Sequence, residues 1–275
     1  MKQGQYELIM LGTGNAMVTK CYNSCFLIKK DEKGFLVDAG GGNGILKQIE
    51  QVKMDFKNIK DMFLTHGHTD HILGAIWVIR KIASMMQAGQ YEGNFSIYCH
   101  DEVKEMLETF CKMTLVPKLF QYIGDRILLM EVKDQEEVMI ESINMKIICF
   151  DIHSTKAKQF GFQGILADGQ RITCLGDEPF HPSCENLVKG SDWLLSEAFC
   201  LYEQKEQFRP YEKHHSTALD AGRLANQLEV KTLILYHTED KTLSTRKQAY
   251  KKEAEKEFFG MIYVPDDLEH ILLSQ

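Results

Sequence analysis

Thr65-His66-Gly67-His68-Thr69-Asp70-His71 decides how this chain is read. Four groups able to ligate a metal, His66, His68, Asp70 and His71, fall within six residues. Neutral imidazoles and a carboxylate together suit Zn²⁺ and similar divalent ions. The apolar run Asp61 to Thr65 before them reads as a strand, and the apolar stretch after them, through Ile82, reads as a helix buried on most sides. Gly67 leaves the backbone free to curl, so His66 and His68 can face one ion. Asp70 and His71, at the start of the helix, can then turn toward a second. The spacing differs from the helical HExxH signature, in which an i, i+4 pair serves a single ion.

Two ions need more ligands than one loop supplies. Working outward, three candidates stand at the ends of apolar runs. His153 follows Ile147–Phe150, Asp177 follows the strand that ends at Cys174, and His237 ends Leu233-Ile234-Leu235-Tyr236. Each sits at the C-terminal tip of an expected strand, where open α/β sheets place their ligand sites. His100, His214 and His270 stand alone and read as ordinary core or surface residues.

Short strands are expected at Tyr6–Leu11, Cys25–Lys29 and Gly34–Asp38, with a helix after Asp38-Ala39-Gly40-Gly41-Gly42-Asn43. Phe95–Cys99 reads as a strand and Asp101–Met113 as a helix with Asp101 as its N-cap. Several short β segments fill Ile127 to Cys174. Strand Trp193–Ser196, helix Thr217–Leu228, strand Thr232–Tyr236, helix Ser244–Phe258 and two short closing strands follow. Two βα-rich halves thus flank a mostly β middle, with no linker, repeat or charge block between them. That pattern predicts one α/β domain over residues 1–275, with two sheet layers and helices outside.

Composition sets the outer bounds. The chain has 275 residues, 44% hydrophobic and 26% charged, which suits a globular protein with an ample core. Its 32 Lys and Arg against 39 Asp and Glu give a net charge of −7, which disfavours a strongly basic nucleic-acid binder. No window approaches the roughly 18 continuous apolar residues of a membrane span. MKQGQYELIMLGTG lacks the long apolar segment of a secretory signal. The eight cysteines form no CxxC pair and read as reduced, mostly buried thiols. A cytoplasmic location is expected.

The THGHTDH segment resembles the signature of the metallo-β-lactamase fold superfamily, and the chain as a whole resembles tRNA 3′-processing endonuclease (ribonuclease Z) and its relatives. The likeness runs in order through LGTGNAMVTKCYNS, FLVDAGGG, FLTHGHTDHILGA, DIH, CLGDEPF, CENLVKGSDWLLSEAF, HHSTALDAGRLA and LILYHTED. It implies a four-layer αβ/βα sandwich. It also implies one ion held by His66, His68 and His153, a second held by Asp70, His71 and His237, and Asp177 bridging the two. Zn²⁺ is the foremost ion, and Mn²⁺ or Fe²⁺ also suit such ligands. Glu197 matches the family's acidic partner of a histidine, here His215, which would donate a hydrogen bond or proton to a reacting phosphate. Two ions about 3.5–4 Å apart would acidify a shared water, which Asp70 would orient or deprotonate, and clamp attacking and leaving oxygens.

Two departures narrow the resemblance. Ribonuclease Z proteins that process tRNA carry a long glycine- and lysine-rich arm between the middle histidine and the bridging aspartate. Here the segment between His153 and Asp177 reads as two strands and a turn. Where the family has a serine–arginine–tyrosine pattern, this chain has Thr238-Glu239-Asp240. Phosphate contacts need cations, and the cluster Lys241, Arg246, Lys247, Lys251 and Lys252 reads as a solvated helix face. The expected function is a dinuclear zinc hydrolase, foremost a phosphodiesterase without the tRNA-binding arm, acting on a small-molecule or RNA phosphodiester. A lactone, thioester or sulfate ester substrate on the same core, or a non-catalytic metal-binding protein, are the alternatives. The relatives often form a homodimer. The substrate pocket is expected to draw on Ile82–Phe95 and Met106–Phe120.

Overall fold

Every residue of strand Tyr6–Gly12 is buried, and so is every residue of strand Thr232–Tyr236. Alternate side chains of a strand leave opposite faces of its sheet, so such strands must be covered on both sides. In the computed structural model of the chain, which describes residues 4–273, helices cover one face and a second sheet the other. Residues 1–3 and 274–275, the ends of the expected 1–275 domain, lie outside the described residues.

The first sheet takes β1 (Tyr6–Gly12), β2 (Cys25–Lys30), β3 (Lys33–Val37), β4 (Ile59–Phe63), β5 (Phe95–Cys99) and β6 (Ile127–Glu131) in spatial order. The second takes β7 (Glu137–Ile140), β8 (Met145–Asp151), β9 (Phe160–Ile165), β10 (Arg171–Cys174), β11 (Trp193–Glu197), β12 (Thr232–Tyr236) and β13 (Met261–Tyr263). Strand β14 (Glu269–Leu273) returns to the first sheet and pairs antiparallel with β1. Strands β3 to β6 run parallel, as do β10 to β13, so their C-terminal tips gather along one rim of each sheet.

Side-chain alternation assigns the layers. Ile9, Leu27, Leu36 and Met62 face Ile45, Ile49, Ile72 and Ile79 of helices Gly44–Gln51 and Thr69–Gln87. Leu8, Phe26, Phe35 and Phe63 turn the other way, onto Ile147, Phe162, Ile172 and Ile234 of the second sheet. Phe162 meets Phe35 and Phe63 edge-to-face at 5.9 and 5.3 Å. The outer face of the second sheet (Leu194, Leu233, Leu235) is covered by helices Ala218–Gln227 and Leu243–Ala254. The result is the expected four-layer sandwich.

The structure differs from the sequence reading at several places. Helix Thr69–Gln87 runs beyond Ile82, and its last turns bury Met86 beside Tyr91 in the outer core. His100 is the N-cap of helix Asp101–Thr114, and Asp101 is the first helical residue, paired with Lys158. Helix Leu243–Ala254 stops short of Phe258. Arg246 does not belong to a solvated face: it is 1% exposed. Its Nη1 donates to Thr13 Oγ1 at 3.0 Å and Thr238 Oγ1 at 2.9 Å, and Nη2 to the Pro265 carbonyl at 2.8 Å. All eight cysteines are free and seven are buried. Burial pushes the Cys99, Cys111, Cys149 and Cys174 thiols up to about 12, which leaves them inert as nucleophiles. Among the described residues, no helix is long and apolar enough to cross a membrane.

Helix Thr69–Gln87 can approach the 38–40 loop only because residue 74 is glycine. The Gly74 amide donates to the Gly40 carbonyl at 2.8 Å. A Cβ there would lie 1.8 Å from the Ala39 carbonyl oxygen. Gly74→Ala is expected to cost about 1–3 kcal/mol of unfolding free energy in urea titrations. Gly42→Ala, where a Cβ meets nothing within 4 Å, should stay within about 0.5 kcal/mol of wild type.

Candidate metal centre

The rim between the two sheets is built from strand tips. Strand β4 ends at Phe63, and the chain then presents His66 and His68 before Asp70 and His71 enter the first turn of helix Thr69–Gln87. The helix N-terminus favours the Asp70 carboxylate. From the second sheet, Asp177 follows β10, Glu197 ends β11 and His237 follows β12.

Six of the seven expected ligands converge there. His66, His68 and Asp177 form one donor cluster, and Asp70, His71 and His237 form another. Asp177 stands between them: Oδ1 lies 3.6 Å from His66 Nε2, while Oδ2 lies 3.7 Å from His71 Nε2 and 3.4 Å from His237 Nε2. Asp70 Oδ2 is 3.4 Å from His71 Nε2 and 3.6 Å from His237 Nε2. These spacings are long for hydrogen bonds. They match the edge, about 3.4 Å, of a tetrahedron of ligands bound at about 2.0–2.1 Å. His71 Nε2 and His237 Nε2 are buried with no hydrogen-bond partner. Orphaned imidazole nitrogens facing buried carboxylates are what a site for a divalent cation looks like, and the donor set fits one.

The charges agree. Burial works to raise the Asp177 carboxyl, but His66, His237 and His71 outweigh it and hold it well below the usual carboxylate range. Burial likewise opposes ionisation of Asp70, and His71 and His237 overcome it. Burial pushes the His66 imidazole well below its ordinary value. At His71 burial is outweighed by Asp70 and Asp38, which raise the imidazole well above its ordinary value, so a cation binding there would displace its proton.

A carboxylate overlooked in the sequence orders this arrangement. Asp38, just past β3 and left-handed at φ 54°, accepts from the Thr65 amide at 2.9 Å and the Thr65 hydroxyl at 2.8 Å. His71 Nδ1 lies 2.8 Å from Oδ2, the oxygen that also accepts from the Thr65 hydroxyl, and donates there, which aims Nε2 at the centre. His66 Nδ1 lies 2.9 Å from both Thr65 Oγ1 and Gln159 Nε2. Gln159 Nε2 donates to Asp177 Oδ1 at 2.6 Å. The strand-tip argument that selected Asp177 and His237 applies equally to the end of FLVD.

His153 is not brought in with the other six. It is exposed, and its ring packs 4.8 Å from that of His181. The backbone turn explains this: His153 is left-handed at φ 57°, and its amide donates to Asp151 Oδ1 at 2.7 Å. Glu197 and His215 do meet at the rim. Glu197 Oε2 is 3.6 Å from His215 Nδ1, and Oε1 accepts from the Ser216 amide. The His215 ring stacks on Phe199 with centroids 4.7 Å apart and planes 10° from parallel.

A cavity of about 700 Å³ opens over Asp70, Asp177, His215 and His237. Its walls come from the 15–18 loop, Phe199, Phe208, three lysines, Lys156, Lys213 and Lys241, and the carboxylates Glu239 and Asp240. The expected contributions of Ile82–Phe95 and Met106–Phe120 are absent from the lining, because Met86, Tyr91 and Leu107 are spent on the outer helix core.

Two seven-stranded sheets between helix layers, with metal-binding side chains at the strand tips of both, define a protein of the metallo-β-lactamase fold that resembles ribonuclease Z. The family profile described as anti-Pycsar protein Apyc1 matches residues 6–259, and the chain belongs to that family. It is also similar to ribonuclease Z of Bacteroides thetaiotaomicron, 23% identical with 85% of each chain covered. Among solved structures, the metallo-β-lactamase fold protein YhfI of Bacillus subtilis superposes with a TM-score of 0.77 at 18% identity, covering 98% of this chain and 99% of that one. The short form of human tRNase Z superposes with a TM-score of 0.69 at 19% identity, covering 96% and 98%.

Removing the Asp38 carboxylate should loosen the centre without unfolding the sandwich. Asp38→Ala is expected to weaken divalent-metal affinity about 10–100-fold in competition with a chelator, with the far-UV circular dichroism of wild type.

Proposed function

We propose that this protein is a metal-dependent phosphodiesterase that uses two divalent ions, Zn²⁺ foremost, on a small phosphodiester rather than on folded tRNA. The observation that carries the proposal is Asp177, which offers one oxygen to each donor cluster beside an oriented His215. When bound, the ions supply Lewis acidity and an acidified water. The remaining work falls to side chains of this chain. Asp70 borders the cavity and is placed to orient the attacking water. Phe199 stacks on His215, and Glu197 lies 3.6 Å from its Nδ1; the imidazole would steady the charge that develops on the phosphoryl group. Its contribution would be on the order of 10²–10⁴-fold.

The substrate class is argued from size and charge. The short β9–β10 hairpin takes up most of the span from His153 to Asp177, which supports a site without a long RNA-gripping arm. A cavity of about 700 Å³ suits a molecule of nucleotide size. The ribonuclease Z and tRNase Z relatives act, by their names, on RNA, and a phosphodiester bond is what such a substrate shares with a small one. Donors from both sheets build the centre, which supports treating the chain as one domain.

The test is metal analysis together with turnover of bis(p-nitrophenyl) phosphate, an aryl sulfate and a lactone. Wild type should carry two divalent ions per chain and prefer the phosphodiester. Asp177→Ala should lose both metal and turnover. His215→Ala should keep its metal and lose about 10²–10⁴-fold in kcat. Metal-loaded wild type that hydrolyses no phosphodiester sinks the proposal.

A further inference from the structure

The turn that follows His153 is latched to the centre from two directions. Glu178, next to Asp177 in sequence and itself buried, accepts from the Ser154 hydroxyl on Oε1 at 2.8 Å and from the Thr155 amide on Oε2 at 3.3 Å. Across the rim, Thr155 Oγ1 is hydrogen-bonded to His214 Nδ1 at 3.0 Å. Ser154 Oγ also receives the Lys156 and Ala157 amides, each at 3.3 Å. A three-residue turn held this way presents its last side chain in a defined direction.

That side chain is Lys156, and it reaches the cavity. Nζ lies 3.4 Å from His215 Nε2 and 3.7 Å from Glu178 Oε1, with the side chain 26% exposed. An ammonium carries three donors and no acceptor. The face that His215 turns to the cavity holds a lysine cation. The pair with Glu178 is longer than a hydrogen bond, so it does not use up the ammonium's donors. At least one N–H remains for a molecule in the cavity, over Asp177 and Asp70.

We infer that Lys156 is a substrate-contacting residue: its ammonium donates to a non-bridging phosphoryl oxygen and so selects anionic esters over neutral ones. This rests on the phosphodiesterase reading for the identity of the ester and deepens it by naming the group that reads the charge. The contact adds no proton transfer. It places a fixed positive charge where the phosphate's own charge lies, beside the histidine that steadies the reacting group. A charge-assisted hydrogen bond of this kind corresponds to about 10–100-fold in affinity.

The experiment uses the whole metal-loaded chain and the variants Lys156→Met, Lys156→Gln and Lys156→Arg, each with its metal content measured. Inorganic phosphate binding is followed by titration calorimetry. The kcat and KM are measured on bis(p-nitrophenyl) phosphate and on the neutral ester p-nitrophenyl acetate. The expected result is phosphate affinity about 10–100-fold weaker in Lys156→Met and Lys156→Gln, a matching loss in kcat/KM on the phosphodiester, and an unchanged rate on the acetate. Lys156→Arg should recover to within about threefold on both counts, because it restores charge and donors. Phosphate binding within twofold of wild type in Lys156→Met overturns the inference. So does an equal loss on both esters that arginine fails to rescue, the mark of a merely structural lysine. Wild type that loads metal yet cleaves no phosphodiester overturns the hydrolase reading instead, and the phosphate titration still decides on Lys156.

Discussion

Two carboxylates and four imidazoles are packed where two sheets meet, with too few protons among them to satisfy each other. Taking an ionised carboxylate out of water costs several kcal/mol unless a cation or a set of donors replaces the solvent. Asp70 and Asp177 are both buried, and what surrounds them is a ring of imidazole nitrogens, two of which are themselves unpartnered. Such a cluster is poorly satisfied as a protein interior and well satisfied as a ligand cage. Much of the surrounding architecture reads as the means of holding it together. Asp38 tethers the first sheet's histidines, and Gln159 tethers Asp177. Arg246 ties Thr13 to Thr238, next to His237, although the two lie on loops from different sheets.

Why parallel strand tips should host this cage follows from the packing. A strand buried on both faces offers no side chain to solvent along its length, so polar chemistry is confined to where the strand ends. The sandwich brings the ends of β3, β4, β10, β11 and β12 to a common rim, where β4 contributes four polar groups and each of the others one. Asp38 and His237 both adopt left-handed backbone at that rim, a conformation that costs a non-glycine residue about 1–2 kcal/mol. Chain reversal at a crowded strand tip and the orientation of the donor are achieved by the same residue.

This also explains which parts were legible in the sequence. The layers were, because short apolar strands and helical segments follow one another in two βα-rich halves of the chain. The THGHTDH loop was, because its ligands are local. Asp177 and His237 were reachable by the strand-tip argument. Asp38 would have been too, had the end of FLVD been weighed as a donor rather than as a helix opening. His153 passes the same test and yet stands aside, since the direction of a side chain after a strand depends on the turn, and that turn is pinned by Asp151. Arg246 was misread because charge spacing along a helix cannot show that a neighbouring loop covers one of the charges. The pocket was misplaced for the converse reason: Met86, Tyr91 and Leu107 are apolar enough for a binding wall, but the outer helix layer had prior need of them.

The net charge of −7 needs the same distinction between global and local. A long polyanion samples many nanometres of surface and feels the sum. A molecule inside a cavity feels chiefly what lies within a Debye length, about 8–10 Å at physiological salt. The walls there carry Lys156, Lys213 and Lys241 beside Glu239 and Asp240, whose carboxylates accept from the Lys241, Thr242, Thr19 and Lys20 amides. The Lys213 ammonium sits over the Phe199 ring at 4.9 Å, on the residue that stacks His215. On the proposed reading, an acidic surface disfavours extended nucleic acid while the cavity lysines favour a compact anion. The two facts, which conflict if charge is merely totalled, describe one preference once distance is taken into account.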